Sequence, residues 1–250
     1  MGQINIINQY LNETTWMDGV DSPYFITNHV DVWKINVNCN LFFRDNFLSV
    51  MAPGEIERAN HFLRTEDKNR SIISRGAVRI ILAKYLNIRP AAIEFALDEN
   101  QKPFINIKKN KGLHFNLSHS GEWVLLAVSN DEIGADIELI NRQFKYKDIL
   151  TDYFSEDEVN FIQRDLSGER FFLLWTRKEA FTKATGKGLD SPMKHIPSLN
   201  GQYVSPGNIL STNKDWLTTS FNLNSNYAAS VTYNPQTTGL KFWHMDFKTV

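Results

Sequence analysis

The 250-residue chain has a single cysteine, few glycines (13) and prolines (8), and no excess of either charge: 27 Lys and Arg stand against 28 Asp and Glu, a formal net charge of −1. One thiol excludes a disulfide framework and a cysteine metal cluster. Cys39, in V-N-C-N-L, has no neighbour that would activate it and reads as a buried small residue or an edge thiol. Without an overall positive field, gripping bulk nucleic acid is an unsuitable task. Apolar runs such as Trp123 to Val128 are too short to cross a bilayer. The first ten residues lack a basic region and a long apolar stretch, and Ile6 stands where a myristoylation motif wants Ser or Thr. A cytoplasmic protein without a membrane contact is expected, in which the sequons at Asn12, Asn69 and Asn116 carry no glycan. Also missing are a Walker A loop, G-x-G-x-x-G, G-x-S-x-G and H-E-x-x-H, which removes common nucleotide, dinucleotide, serine-hydrolase and zincin readings.

What is present is a chain long enough for one large domain or two of about 125 residues. Residues 30 to 37 put Trp33, Ile35 and Val37 on one side, as a strand does. Ala52 to Leu63 reads as a short helix, and a longer one opens at Thr65 and closes before Pro90. Short strands are expected at 93 to 97 and 104 to 107. The run 123 to 128 suits a strand buried on both faces, and a second run follows from Ala135. Ser155 to Glu158 is a capping box, and residues 169 to 185 form a helix stopped by Gly186. Strands return at Tyr227 to Tyr233 and Phe242 to Phe247. The pattern predicts an α+β protein with two comparable lobes, 1–130 and 131–250, each of antiparallel strands packed with helices.

Four groups of residues could carry chemistry. On a strand, Asp136 and Glu138 of I-G-A-D-I-E share a face. Converging carboxylates suit Mg²⁺, although such a pair alone is more often a solvated strand face. In the helix W-T-R-K-E-A-F-T-K, Glu179 and Lys183 lie four apart. The pair is either an ordinary surface ion pair or a third metal carboxylate, or general base, beside a phosphate-binding lysine. Trp175, one turn earlier, is expected in the core. N-L-S-H-S, Asn116 to Ser120, is either a polar turn or a set of phosphate donors at a strand mouth. Arg58, Arg70 and Lys102 are scattered cations whose case depends on company. An acidic metal site with Lys, Arg and His phosphate ligands fits chemistry at a phosphoanhydride.

F-N-L-S-H-S-G-E-W-V, I-G-A-D-I-E and W-T-R-K-E-A-F-T-K, in that order, resemble the signature motifs of the Sfp-type 4′-phosphopantetheinyl transferases. R-T-E-D-K-N-R and N-Q-K-P-F-I are similar to the family's N-terminal motifs, and the likeness runs from about residue 50 to 190. The resemblance implies a pseudo-twofold pair of α+β lobes. It implies transfer of 4′-phosphopantetheine from coenzyme A to a serine of an apo acyl or peptidyl carrier protein. Asp136, Glu138 and Glu179 would then bind Mg²⁺, with Mn²⁺ the alternative metal, and Lys183 would neutralise the pyrophosphate. Glu179 would be the base, directly or through water. Arg58, Arg70, Lys102, Pro103, Ser118 and His119 would line the coenzyme A site. Two residues depart from the family pattern. Ala135 stands where Val or Ile is usual, and Glu55 where some members place a lysine near the 3′-phosphate. A Mg²⁺-dependent hydrolase of nucleotide pyrophosphates and a non-catalytic carrier-binding module are the competing readings. The segment N-R-Q-F-K-Y-K-D-I up to Ile149 is the expected carrier-docking region, and a monomer is expected.

Overall fold

A computed structural model describes residues 2–107, 112–187 and 192–249. Two five-stranded sheets organise the chain. The first contains β2 (Trp16–Asp18), β3 (Val30–Asn36), β6 (His114–Ser120), β7 (Trp123–Ser129) and β12 (Leu240–Met245), in the order β2-β12-β3-β7-β6. The second contains β1 (Gln3–Leu11), β8 (Gly134–Leu139), β9 (Gly201–Pro206), β10 (Trp216–Asn224) and β11 (Tyr227–Tyr233), in the order β9-β1-β10-β11-β8. The short hairpin β4 (Phe95–Leu97) and β5 (Pro103–Ile105) stands apart. Helices α1 (Arg44–Val50), α2 (Pro53–Asn60) and α3 (Thr65–Leu86) accompany the first sheet. Helices α4 (Leu150–Tyr153), α5 (Glu156–Gln163) and α6 (Glu169–Thr185) accompany the second.

The two sheets repeat one plan, and they exchange their terminal strands. β12, from the end of the chain, joins the first sheet parallel to β3, while β1, from its beginning, joins the second parallel to β10. Each sheet is therefore mixed rather than purely antiparallel. The exchange puts the two ends of the sequence into the lobe built mainly by the other half.

Alternation along the strands explains the layers. Val30 and Val32 of β3, with Leu125 and Ala127 of β7, pack against Ile137, Phe221 and Val231 between the sheets. Trp33 and Ile35, with Val124, Leu126 and Val128, face the other way onto Ile73, Ala77 and Ile81 of α3. The run 124–128 is fully buried, as a strand with two covered faces must be. On the far side, Ile4, Ile6 and Trp216 of the second sheet meet Phe181 and Ala184 of α6.

The capping box at Ser155 forms as its spacing predicts: Ser155 Oγ accepts from Glu158 N and Glu158 Oε2 accepts from Ser155 N at 2.8 Å. Cys39 is exposed on a 3-10 helix, so of its two sequence readings the buried one fails.

Candidate functional site at the seam between the lobes

β6 and β8 are edge strands of different sheets and are joined by side chains. Asn116 Oδ1 accepts from Ala135 N at 2.9 Å, Ser118 Oγ accepts from Ile137 N at 3.4 Å, and Ser120 Oγ accepts from Leu139 N at 3.0 Å. Three alternate residues of one strand thus satisfy three alternate amides of the other, which a buried backbone requires. N-L-S-H-S is consequently a strand rather than a polar turn. Its Asn116, Ser118 and Ser120 face β8, and Leu117 and His119 turn the opposite way into a cavity.

The same hydroxyls hold the carboxylates. Ser118 Oγ donates to Asp136 Oδ1 at 2.9 Å and Ser120 Oγ donates to Glu138 Oε2 at 2.9 Å. Asp136 and Glu138 do share a face, as the strand period predicts, but that face is the seam and not solvent. Asp136 is 2% exposed. Lys183 Nζ lies 2.6 Å from Asp136 Oδ1 and 3.2 Å from Ser118 Oγ.

Helix α6 reaches the seam because its neighbour has no side chain. A Cβ on Gly134 would lie 2.0 Å from Ala180 O and 2.3 Å from Ala184 N, so helix and strand touch backbone to backbone there. Ala135, small and fully buried, continues this close packing. Thr176 Oγ1 meets Ser230 Oγ of β11 at 2.9 Å, and Arg177 Nε donates to Ser220 Oγ of β10 at 2.8 Å. Lys178 pairs with Glu158 at 2.9 Å and donates to the Met193 and Ile196 carbonyls. Sequence reasoning passes over Arg177 and Lys178. In W-T-R-K-E they fix the helix, and their signal is charge on the helix flank buried behind Trp175.

The electrostatics are those of crowded carboxylates. Glu138 is pushed up to about 7, first by burial and then by the charge of Asp136, against the opposing effects of Ser120 and Lys183. Burial, followed by Asp136, also raises Glu179. Asp136 Oδ2 is buried and has no hydrogen-bond partner among the described residues. Among those residues, too, no three His, Cys, Asp or Glu side chains form a ready-made metal cage. Mg²⁺ seldom needs one, since it commonly takes one or two carboxylates and completes its shell with water and phosphate. The all-oxygen donor set and the unpartnered Oδ2 fit such a hard cation, and Lys183 provides the counter-charge at Asp136. The surface ion pair that the spacing of Glu179 and Lys183 allows gives way to a bond across the seam, with Lys183 turned to Asp136.

The other expected residues divide among three cavities. Arg58, Arg70 and His119 line one of about 370 Å³, together with Arg75, which has no distinguishing mark in the sequence. Lys102 and Pro103 line a separate cavity of about 230 Å³. There Lys102 Nζ donates to Ile133 O at 3.1 Å and Ala184 O at 3.2 Å, tying the β7–β8 turn to the end of α6. Ser118 lines neither and is bonded within the seam. On the other side of Glu138, a cavity of about 440 Å³ is lined by Leu139, Phe144, Ile149, Phe171, Phe172 and Trp175, with Ser120 and Glu138 among its polar groups. Trp175, expected in the core, is only half-buried and forms part of this wall.

Comparison with known proteins gives concordant matches. Residues 44–131 match the family model described as 4′-phosphopantetheinyl transferase, N-terminal, and residues 132–232 match the 4′-phosphopantetheinyl transferase superfamily. The 4′-phosphopantetheinyl transferase HetI of Nostoc sp. is 30% identical over 181 residues, covering 70% of this chain and 76% of that protein. A 4′-phosphopantetheinyl transferase of Bacillus subtilis is 34% identical over 152 residues, 60% of this chain and 66% of its own. The 4′-phosphopantetheinyl transferase gsp of Aneurinibacillus migulanus is 37% identical over 152 residues, 59% of this chain and 62% of its own. For the latter two, the chain spans less than two thirds of the relative's length.

Proposed function

Because this chain belongs to the 4′-phosphopantetheinyl transferase superfamily, we propose that it transfers 4′-phosphopantetheine from coenzyme A to a serine of an apo acyl or peptidyl carrier protein. Adenosine 3′,5′-bisphosphate is the other product. The observation that carries this reading is the seam itself, where buried Asp136 and half-buried Glu138 and Lys183 converge beside a cavity lined by Arg58, Arg70 and His119.

In this reading Asp136, Glu138 and Glu179 would hold Mg²⁺, or Mn²⁺ in its place. The metal supplies charge neutralisation at the phosphoanhydride oxygens. Lys183 leaves Asp136 and donates to a pyrophosphate oxygen; its side chain, 29% exposed, already reaches solvent. Glu179, raised by burial and by Asp136, accepts the proton of the carrier serine directly or through water. The serine oxygen forms a bond to the phosphorus bearing the pantetheine. The bond from that phosphorus to the bridging oxygen breaks, and the bisphosphate leaves with the electron pair. Arg58, Arg70 and His119 bind coenzyme A phosphates, and Lys102 with Pro103 borders the adenine side. Ser118 is a positioning residue that orients Asp136. The apolar wall of Phe144, Ile149 and Trp175 beside Glu138 supports a carrier docking across the segment up to Ile149.

The enzyme works as a cytoplasmic monomer in this reading, since one chain supplies both sides of the seam. Among the described residues, no helix is long and apolar enough to cross a membrane. The lobes divide near residue 130, into 1–130 and 131–250, apart from the exchanged β1 and β12. Release of adenosine 3′,5′-bisphosphate should require coenzyme A, Mg²⁺ and an apo carrier together. Release without a carrier would instead favour a pyrophosphate hydrolase.

His119 gives the binding step a pH dependence. Burial, followed by Arg70, Lys183 and Arg75, holds its pKa below the ordinary value in the free protein. A bound phosphate would raise it, so binding takes up a proton between the free and bound values. The KM for coenzyme A should therefore fall as pH drops through that window, relative to His119→Asn, whose profile lacks the His119 titration. Parallel profiles for the two proteins would remove His119 from the phosphate site.

A further inference from the structure

The turn that ends β6 is pinned from both lobes. Gly121 and Glu122 make a two-residue hairpin between Ser120 and Trp123, which pair across β6 and β7. From the first sheet, Val37 N donates to Glu122 O at 2.8 Å and Asn38 Nδ2 donates to Glu122 Oε2 at 3.1 Å. From the second, the Tyr227 hydroxyl accepts from Glu122 N at 3.2 Å. Tyr227 is 5% exposed and opens β11. It lies opposite Leu139 of β8, and Leu139 N donates to Ser120 Oγ. Ser120, Leu139, Tyr227 and Glu122 thus form a closed circuit across the ends of β6 and β8. From within it, Ser120 Oγ donates to Glu138 Oε2 at 2.9 Å.

We propose that Tyr227 is a positioning residue for the transfer reaction: it clamps the β6–β7 turn to the second lobe, which fixes Ser120, and Ser120 fixes the Glu138 carboxylate. The turn and the hydroxyl are fitted to each other. Gly121 has φ +54°, and a Cβ there would lie 2.2 Å from Tyr227 Oη. Only glycine lets the turn adopt that backbone and come so close. Burial raises the pKa of the phenol, so it remains a neutral hydroxyl. Ser120 is the last residue of β6, and without the clamp its turn is held by the first lobe alone. The turn can then move relative to β8 and carry Ser120 Oγ away from Glu138, and a carboxylate keeps its direction only while its donor does. Asp136 does not depend on the clamp, because its donors are Ser118, inside the strand, and Lys183 on α6.

This inference rests on the transferase reading, and its test separates the two. Steady-state transfer is measured for the wild type, Tyr227→Phe, Ser120→Ala and the double variant. Tyr227→Phe should lower kcat by roughly tenfold and leave the KM for coenzyme A unchanged. Its melting temperature should fall by only about 2–4 °C, the effect of one hydrogen bond. Because the tyrosine acts through Ser120, the double variant should be no slower than Ser120→Ala alone. Gly121→Ala, which drives the turn off the hydroxyl, should lose activity with the tyrosine intact. An unchanged kcat in Tyr227→Phe, additive losses in the double variant, or full activity in Gly121→Ala overturns the assignment. Amide hydrogen exchange followed by NMR needs neither transfer nor metal. In Tyr227→Phe the amides of Glu122 and Leu139 should exchange faster, while those of Ala135 and Ile137, held by Asn116 and Ser118, keep wild-type rates. If the wild type transfers nothing yet Tyr227→Phe frees the Leu139 amide, the functional reading fails and the clamp on Ser120 stands. If the wild type transfers and Tyr227→Phe changes neither kcat nor exchange at Leu139, the functional reading stands and Tyr227 positions nothing.

Discussion

Lys183→Met and Asp136→Asn should both abolish transfer, but only the first should seriously damage the fold. Removing the ammonium leaves the Asp136 carboxylate, 2% exposed, with Ser118 as its remaining hydrogen-bond donor among the described residues. A buried charge stripped of its partner costs about 3–5 kcal/mol. Because Lys183 is 29% exposed and water reaches its side, the lower end, about 3 kcal/mol, applies. For a chain of this length that lowers the melting temperature by roughly 6–12 °C. Asp136→Asn keeps the hydrogen bond to Ser118 and lets the lysine extend into water, so it should cost less than half as much. Activity follows a different order, since each variant removes one member of the charged seam and should lose at least about 10²–10³ in kcat. The double variant should melt above Lys183→Met, because it no longer buries an unpaired charge. Thermal melts of the three proteins at one pH decide it, and equal losses from the two single variants would mean that Asp136 is not effectively buried.

Gly134→Ala is the second large effect. The added methyl carbon would sit 2.0 Å from Ala180 O and 2.3 Å from Ala184 N, both backbone atoms of α6. Neither can rotate away, so helix and strand must separate. Overpacking of this kind costs about 3 kcal/mol or more. The separation also pulls Glu179 and Lys183 away from Asp136 and Glu138, so activity should fall along with the melting temperature. Gly54→Ala is the control. A Cβ there meets nothing within 4 Å, and its place in α2 should make the change neutral or stabilising by up to ~1 kcal/mol. Full activity in Gly134→Ala would show that the close contact of α6 with β8 does not position the site.

The buried strands and the capped helices are legible in the sequence because their signals are local. The apolar run 124–128 needs two covered faces, and Ser155 with Glu158 carries its own hydrogen-bonding partner three residues away. The exchanged ends are not legible. Ile4 and Ile6 alternate as a strand should, yet nothing local says that β1 lies beside β10, whose residues pair with it from Trp216 onward. N-L-S-H-S hides its strand because both faces are polar or mixed. The seam face serves backbone amides, and the cavity face carries Leu117 and His119. Asp136, Glu138 and Lys183 can be brought together from strand and helix periods plus the family resemblance. That Ser118 holds Asp136 and that Lys102 ties carbonyls cannot, because both depend on which backbone atoms pass nearby. Arg75 escapes for a related reason: an arginine on a long helix is ordinary until the cavity it lines is seen.

The most direct measurement is the intact mass of a purified apo carrier protein after incubation with this protein, coenzyme A and Mg²⁺. A gain of one phosphopantetheine group on the carrier's serine is expected. That gain should disappear with a chelator, with Asp136→Asn, or when the carrier serine is replaced by alanine. An unmodified carrier across fatty-acid, polyketide and peptide-synthetase types, with coenzyme A consumed in the same tubes, would contradict the transferase assignment.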